Sequence, residues 1–353
     1  MIARLTERAG AGGVASVAGV EVGVGDDAAV LVPAPGARLV ATTDVLVEGH
    51  DFRHDLSEPA DWGWKAVAAN LSDLAAMGAR GRWLLLALTA PAATPVATLE
   101  QLYAGVGEAC QAFGVALVGG DVSDGPALSL AVTALGEAPA GQVVTRSGAQ
   151  PGDRLVVSGP LGAAAAGLAL LELALELEPR RGRDPAAEPA EPAEPGSRRG
   201  DRARELLARF PGLAAAQRRP HPDLGAGPRL AQAGASAMLD VSDGLAGDAL
   251  HLAEASRVGV EIRDGDVPLA PGVAEAASLF DRDPVELALG GGEDFVLAAA
   301  LPDPAGDVTG TIACGTFTSG ATHGPGPGPG QGVRRTAAGT VPLGGLAYQH
   351  FRR

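Results

Sequence analysis

Carboxylates recur beside glycines and small hydroxyl residues where short apolar runs of this sequence end. The clusters are Gly25-Asp26-Asp27, Thr42-Thr43-Asp44, Ser72-Asp73, Gly119-Gly120-Asp121 and Asp240-Val241-Ser242-Asp243-Gly244. Hard oxygen ligands of this kind suit magnesium, which keeps several waters and is usually completed by substrate phosphates. Crowded carboxylates repel one another and need cations to stay ionised together. The glycines beside Asp26 and Asp121 let backbone approach a phosphate closely. Taken singly, each cluster is equally an ordinary turn or helix cap. Asp73 differs, because it interrupts a helical apolar pattern and a lone buried carboxylate is costly there. It either faces solvent or is a ligand, and the joint occurrence of the clusters favours ligands.

The elements that must position these groups are of mixed type. Residues 38–43, 83–89, 115–118 and 128–135 read as strands, being apolar and rich in β-branched residues. Residues 64–77 and 99–113 read as helices, closed by Gly78 and Gly114. After a turn-rich stretch at 146–153, strands are expected at 154–158, 236–239 and 259–263, with helices at 162–178 and 246–256. This alternation predicts an α/β fold of helices layered on sheets, in two domains, 1–140 and 146–353. Two low-complexity stretches, 178–202 (rich in Pro, Glu, Ala and Arg) and 322–333 (GPGPGPGQG), cannot bury a core and are expected to be disordered insertions. DVSDG occurs twice, at 121–125 and 240–244, each time after an apolar run.

Composition narrows the function. The formal net charge of −15 disfavours nucleic acid and anionic membranes as partners. The apolar run at 161–177 is broken by Glu172 and Glu176, so no membrane span is expected, and the N-terminal residues lack a signal-peptide pattern. Cys110 and Cys314 have no zinc spacing and read as thiols of a reducing cytoplasm. There is no GxxxxGK[ST], and the only lysine, Lys65, lies in WGWKAV rather than in a glycine loop. Protein-kinase elements and the GxSxG of serine hydrolases are also missing. Any phosphoryl transfer by this chain must therefore rely on metals and arginine.

At these residues the sequence resembles the thiamine-monophosphate kinase family. The resemblance is carried by GVGDDAAV (23–30), TTDVLVEG (42–49), WKAVAANLSDLAAMGA (64–79), LVGGD (117–121), TRSGAQPGD (145–153), LDVSDGLAGDALHLAEAS (239–256) and GGGEDF (290–295), in matching order and rough spacing. It implies the aminoimidazole-ribonucleotide-synthetase-like fold, in which the N-terminal domains of two chains pair around a shared β-barrel to give a homodimer. It also implies a thiamine-biosynthetic transferase that phosphorylates thiamine monophosphate to thiamine diphosphate. The γ-phosphate of ATP would pass directly and in line, assisted by several magnesium ions.

Carried over residue by residue, the resemblance makes Asp27, Thr42, Thr43, Asp44, Asp73, Asp121, Asp240 and Asp243 metal ligands. It makes Gly120, Asp121, Arg146 and Ser242 ATP contacts, and Glu293 a substrate contact. The family usually has His just before Phe in the segment after VEG; here Asp51 holds that place and His50 precedes it, so both are candidate substrate contacts. Asp124 stands where relatives often have arginine, and 344–348, including Tyr348, takes the place of an aromatic substrate-stacking segment. Two alternatives stay open: another ATP-using member of the same superfamily, and a non-catalytic nucleotide-binding dimer. The cysteine positions lower the selenophosphate-synthetase and hydrogenase-maturation readings.

Overall fold

The structure is a computed structural model that describes residues 2–10, 19–177, 198–319 and 327–346. It opens with α1 (Ile2–Arg8) and a short antiparallel pair, β1 (Val20–Val22) and β2 (Val30–Leu31), whose connection carries Gly25-Asp26-Asp27. There follow β3 (Ala37–Val47), α2 (Pro59–Ala76), β4 (Arg80–Ala90), α3 (Val96–Phe113), β5 (Ala116–Asp124) and β6 (Ser129–Pro139). The four long strands form one sheet in the order β3-β6-β4-β5, antiparallel except for the β4–β5 pair. In β6 every second side chain is buried, the period of a sheet with one face on a core. That core is closed by α2 and α3, through Leu71, Leu74, Leu102 and Val106 against Leu84, Leu86 and Leu130.

The rest of the described chain builds a larger sheet from β7 (Arg154–Val157), α4 (Ala163–Leu177), α5 (Arg198–Arg209), α6 (Pro211–Arg218), α7 (Ala226–Gln232), β8 (Ala237–Asp240), α8 (Leu245–Ser256), β9 (Gly259–Arg263), α9 (Val273–Leu279), α10 (Pro284–Gly290), β10 (Leu297–Leu301), β11 (Ile312–Thr318), β12 (Gly332–Thr336) and β13 (Gly339–Pro342). Its seven strands run β13-β12-β9-β11-β7-β10-β8, all antiparallel except β12 on β9. A separate apolar core, with Leu239, Leu252, Val260, Ile262 and Phe317, fills this half. Among the described residues no helix is long and apolar enough to cross a membrane.

The mixed α/β architecture agrees with the sequence reading, and several boundaries differ for physical reasons. α2 begins at Pro59, ahead of the expected 64, because Pro59 stands in the first turn and the Glu58 amide donates to Asp61 Oδ2 at 3.1 Å. β5 does not end at 118 but continues through Gly119, Gly120 and Asp121 to Asp124, so the first DVSDG copy lies in a strand and not in a turn. Thr42-Thr43-Asp44 likewise sits inside an 11-residue strand.

The sheet of the first half stays open, with β3 and β5 at its edges, so no closed barrel exists within the described residues. Of the expected insertion 178–202, residues 178–197 lie outside the described residues, and 198–202 form the start of α5. Of 322–333, residues 322–326 lie outside the described residues. Gly332 and Val333 open β12, where parallel pairing with β9 supplies the backbone partners that composition does not reveal.

Candidate active site

Three polar positions within one turn of α2, Asn70, Ser72 and Asp73, organise a cleft between the two sheets. Asn70 is fully buried and uses both ends of its amide: Nδ2 donates to Ala66 O at 2.9 Å, and Oδ1 accepts from the Asp44 amide at 3.0 Å. Ser72, also buried, donates to Asp240 Oδ2 at 2.8 Å. Asp73 Oδ2 accepts from the Thr42 hydroxyl at 2.7 Å. One turn of helix thus draws β3 to one side and the end of β8 to the other, and Asp44, Asp73 and Asp240 line the same cleft of 1210 Å³. Asp73 is half-buried here, not on an outer solvated face.

Burial and mutual repulsion leave these carboxylates short of positive charge. Burial, then Asp73 and Asp51, pushes Asp44 up to about 6. Burial, then Asp73, pushes Asp240 up to about 7 against the Ser72 bond. Asp73 is raised mainly by burial, with the Thr42 bond and Arg146 opposing. Behind them Asp248, in the first turn of α8, is pushed up to about 8 by burial and by Asp240 and Asp243. Hard oxygen donors that repel one another in a cleft match what a divalent cation such as magnesium requires.

The turn before α8 settles a competing reading of Asp243. Gly244, at φ +102°, occupies the N-cap position with no side-chain cap bond. Asp243 therefore does not cap the helix; its own amide donates to Asp248 Oδ2 at 3.2 Å. Asp243, Asp248 and His251 each bring a ligand atom within 4.8 Å of the others.

In the same cleft, Lys65 Nζ lies 2.5 Å from Glu293 Oε1 and 2.9 Å from Asp51 O, while Gln217 Nε2 donates to Glu293 Oε2 at 2.8 Å. Glu293 and Phe295 both adopt left-handed backbone (φ 66° and 48°), and their amides are tied to Ser242 O and Val241 O. Non-glycine residues held this way are strained, and such strain concentrates at functional sites. Asp51 turns its carboxylate to the Val47 amide at 2.7 Å. His50 is exposed on the cleft wall, as are Arg146 and Ser242.

The expected residues do not all meet. Asp27, Gly120 and Asp121 line a second cavity of 860 Å³, whose walls include Leu85, Leu117 and the buried Tyr103. Gly120 has a structural reason to be glycine, since a Cβ there would lie 1.9 Å from Leu86 O. Thr43 donates to Val132 O at 3.0 Å and lines neither cavity. Asp124 is exposed and lines neither cavity; Tyr348 lies outside the described residues. Sequence reasoning passed over Asn70, Asp248 and Tyr103 as helix-pattern residues and assigned Lys65 no role. Polar residues amid apolar helical positions were the only available signal.

The family model described as "AIR synthase related protein, N-terminal domain" matches residues 25–138. The thiamine-monophosphate kinase of Synechococcus elongatus is 39% identical over 287 residues, covering 79% of this chain and 77% of its own length. The crystal structure of thiamine-monophosphate kinase from Stenotrophomonas maltophilia superposes with a TM-score of 0.73 at 33% identity, covering 93% of this chain and 94% of that one. The structure described as AaThiL complexed with AMPPCP and TMP superposes with a TM-score of 0.68 at 30% identity, covering 82% and 84%.

Proposed function

The chain belongs to the thiamine-monophosphate kinase family, and on that premise we infer that it is a kinase that phosphorylates thiamine monophosphate with ATP, yielding thiamine diphosphate and ADP. One observation carries the reading to the chemistry: Asp44, Asp73 and Asp240, from three separate elements, converge on one cleft in which Arg146 only partly offsets their charge. The complex of a relative with AMPPCP and TMP supports both substrates.

We propose that Asp44, Asp73 and Asp240 hold magnesium together with Thr42, Asp243 and, from the side of the second cavity, Asp27 and Asp121. Thr43, whose hydroxyl is turned to Val132 O, is the member of the ligand set with least geometric support. When bound, the ions supply positive charge that offsets repulsion between the attacking and the transferred phosphates. Arg146 and Ser242 border the cleft where the ATP phosphates would lie. Gly120 and Asp121 line the cavity whose apolar walls, Tyr103 among them, suit a purine base. The protein's own work is then positioning: two anions are aligned for direct in-line transfer, with no enzyme-bound phosphate.

Glu293 and His50 face the thiamine end of the substrate, and Asp51 shapes the same wall through its bond to Val47. The two halves, 1–140 and 146–353, supply opposite sides of the cleft. The chain acts as a cytoplasmic homodimer joined through the exposed edge of β3, where Leu39 and Val45 are about half exposed (54% and 52%).

The test is direct. Purified protein incubated with ATP, magnesium and thiamine monophosphate is expected to form thiamine diphosphate and ADP in equal amounts. Nucleotide binding with no turnover would instead establish the non-catalytic alternative.

A further inference from the structure

Lys65 is the only lysine of the chain and is nearly inaccessible, its side chain 6% exposed. A desolvated ammonium is costly unless it is paired and hydrogen-bonded. Here it is both, and its partners come from distant segments: Glu293 Oε1 from the loop after α10, and Asp51 O from the turn after β3. The other carboxylate oxygen of Glu293 takes Gln217 of α6. Arg53 and Arg218 also line the cleft, but they are engaged elsewhere, with Asp55 and Glu172 and with Leu56 O.

The loop that Lys65 holds is not at rest by itself. Glu293 and Phe295 occupy left-handed backbone, and a Cβ at Gly292 would lie 2.1 Å from Ser242 O. Such a segment needs fixed tethers to keep its geometry. Its backbone tethers run to the turn that carries Ser242, Asp294 accepts from the Gly162 and Ala164 amides, and among the described residues its one side-chain ion pair runs from Glu293 to Lys65.

We propose that Lys65 is a positioning residue: its ammonium clamps the Glu293 carboxylate and the 50–52 turn to α2, and so fixes the substrate-binding wall of the cleft relative to the aspartates on the same helix. The inference rests on the reading of Glu293 as a substrate contact. Lys65 and Asp73 lie on one rigid helix, so this clamp sets the distance between bound thiamine and the phosphate-transfer end.

The experiment compares Lys65→Met, Lys65→Arg, Glu293→Gln and the Lys65→Met/Glu293→Gln double variant. Initial rates give kcat and both KM values, and amide hydrogen exchange is followed across 290–295. Lys65→Met is expected to raise KM for thiamine monophosphate by about tenfold or more, with kcat within about threefold and KM for ATP unchanged. Lys65→Arg, which keeps the charge, should recover most of that loss. The double variant should be no worse than Glu293→Gln alone, because both remove one clamp. Exchange at 290–295 should quicken about tenfold in Lys65→Met while β6 amides keep their protection.

Additive losses, a kcat effect with unchanged KM, or unchanged exchange at 290–295 would each overturn the assignment. A wild-type protein that does not phosphorylate thiamine monophosphate would refute the proposed function, and the exchange measurement would still decide the role of Lys65. If Lys65→Met does not fold, the Glu293→Gln exchange profile carries the decision: faster exchange at 290–295 supports the clamp, and an unperturbed loop refutes it.

Discussion

Ser72 and Asp240 meet at 2.8 Å although one lies in the middle of α2 and the other ends β8, 168 residues later. Both are buried, and the bond joins the first half of the chain to the second beside the candidate metal site. Ser72→Ala leaves Asp240 without this partner. The expected cost is about 1–3 kcal/mol in denaturant unfolding. A stability equal to wild type would mean that the bond is replaced by solvent and that the halves are held together elsewhere.

Helix α2 is also held close to α3 by glycine. A Cβ at Gly105 would fall 1.8 Å from Ala60 O, closer than any side chain allows. Gly105→Ala must therefore push the helices apart, and overpacking of this kind costs about 1–3 kcal/mol. Thermal melts should show a clear loss, with the cleft aspartates displaced and turnover lowered in step.

Asp294 supplies a pH dependence. Its carboxylate accepts from the Gly162 amide at 2.6 Å and the Ala164 amide at 3.0 Å, at the start of α4. Burial nevertheless pushes it up to about 6, against those bonds. The folded protein then holds a proton that the unfolded chain has released between about pH 4 and pH 6. Stability from this group is present below that window and is lost as pH rises through it, by on the order of 3 kcal/mol at most. Unfolding free energies of wild type and Asp294→Asn, compared from pH 4 to pH 7, should diverge in slope within the window. Parallel curves would contradict the assignment.

How much of this was legible in the sequence depended on range. Asp44, Asp73 and Asp240 could be picked out because a carboxylate beside a hydroxyl residue at a strand end, or inside an apolar helix, departs from local pattern. The division of the set could not be read. Asp27 and Asp121 look like the others in sequence, yet β5 is the far edge of a sheet whose order is β3-β6-β4-β5, which carries Asp121 to a different cavity. The extension of β5 beyond 118 and the strand at 332–336 also escaped notice, because glycine-rich segments become strands here only through long-range pairing with β4 and β9. Asn70 and Asp248 are hidden inside helix patterns: Asn70 accepts from the distant Asp44 amide and donates to the Ala66 carbonyl four residues back, and Asp248 accepts from the Asp243 amide five residues back.

The exposed edge of β3 leads to a prediction about assembly. Leu39 and Val45 leave apolar side chains exposed on an edge strand that is paired only with β6, an arrangement that proteins usually cover. Sedimentation velocity at micromolar protein should report a dimer, and Leu39→Lys with Val45→Lys should convert it to monomer. A monomeric wild type would exclude pairing through this edge.

The central claim is that the carboxylates gathered around α2 are ligands for phosphoryl transfer and not structural groups. Asp73→Asn tests it most directly, because the variant keeps an acceptor for Thr42 and removes only the charge. The measurement is turnover of ATP and thiamine monophosphate as magnesium is titrated, with folding checked by circular dichroism. The account predicts a folded protein whose kcat falls by about a hundredfold, a barrier increase of about 2.7 kcal/mol, with saturation shifted to higher magnesium. A variant with near-normal kcat and an unchanged magnesium curve would contradict it.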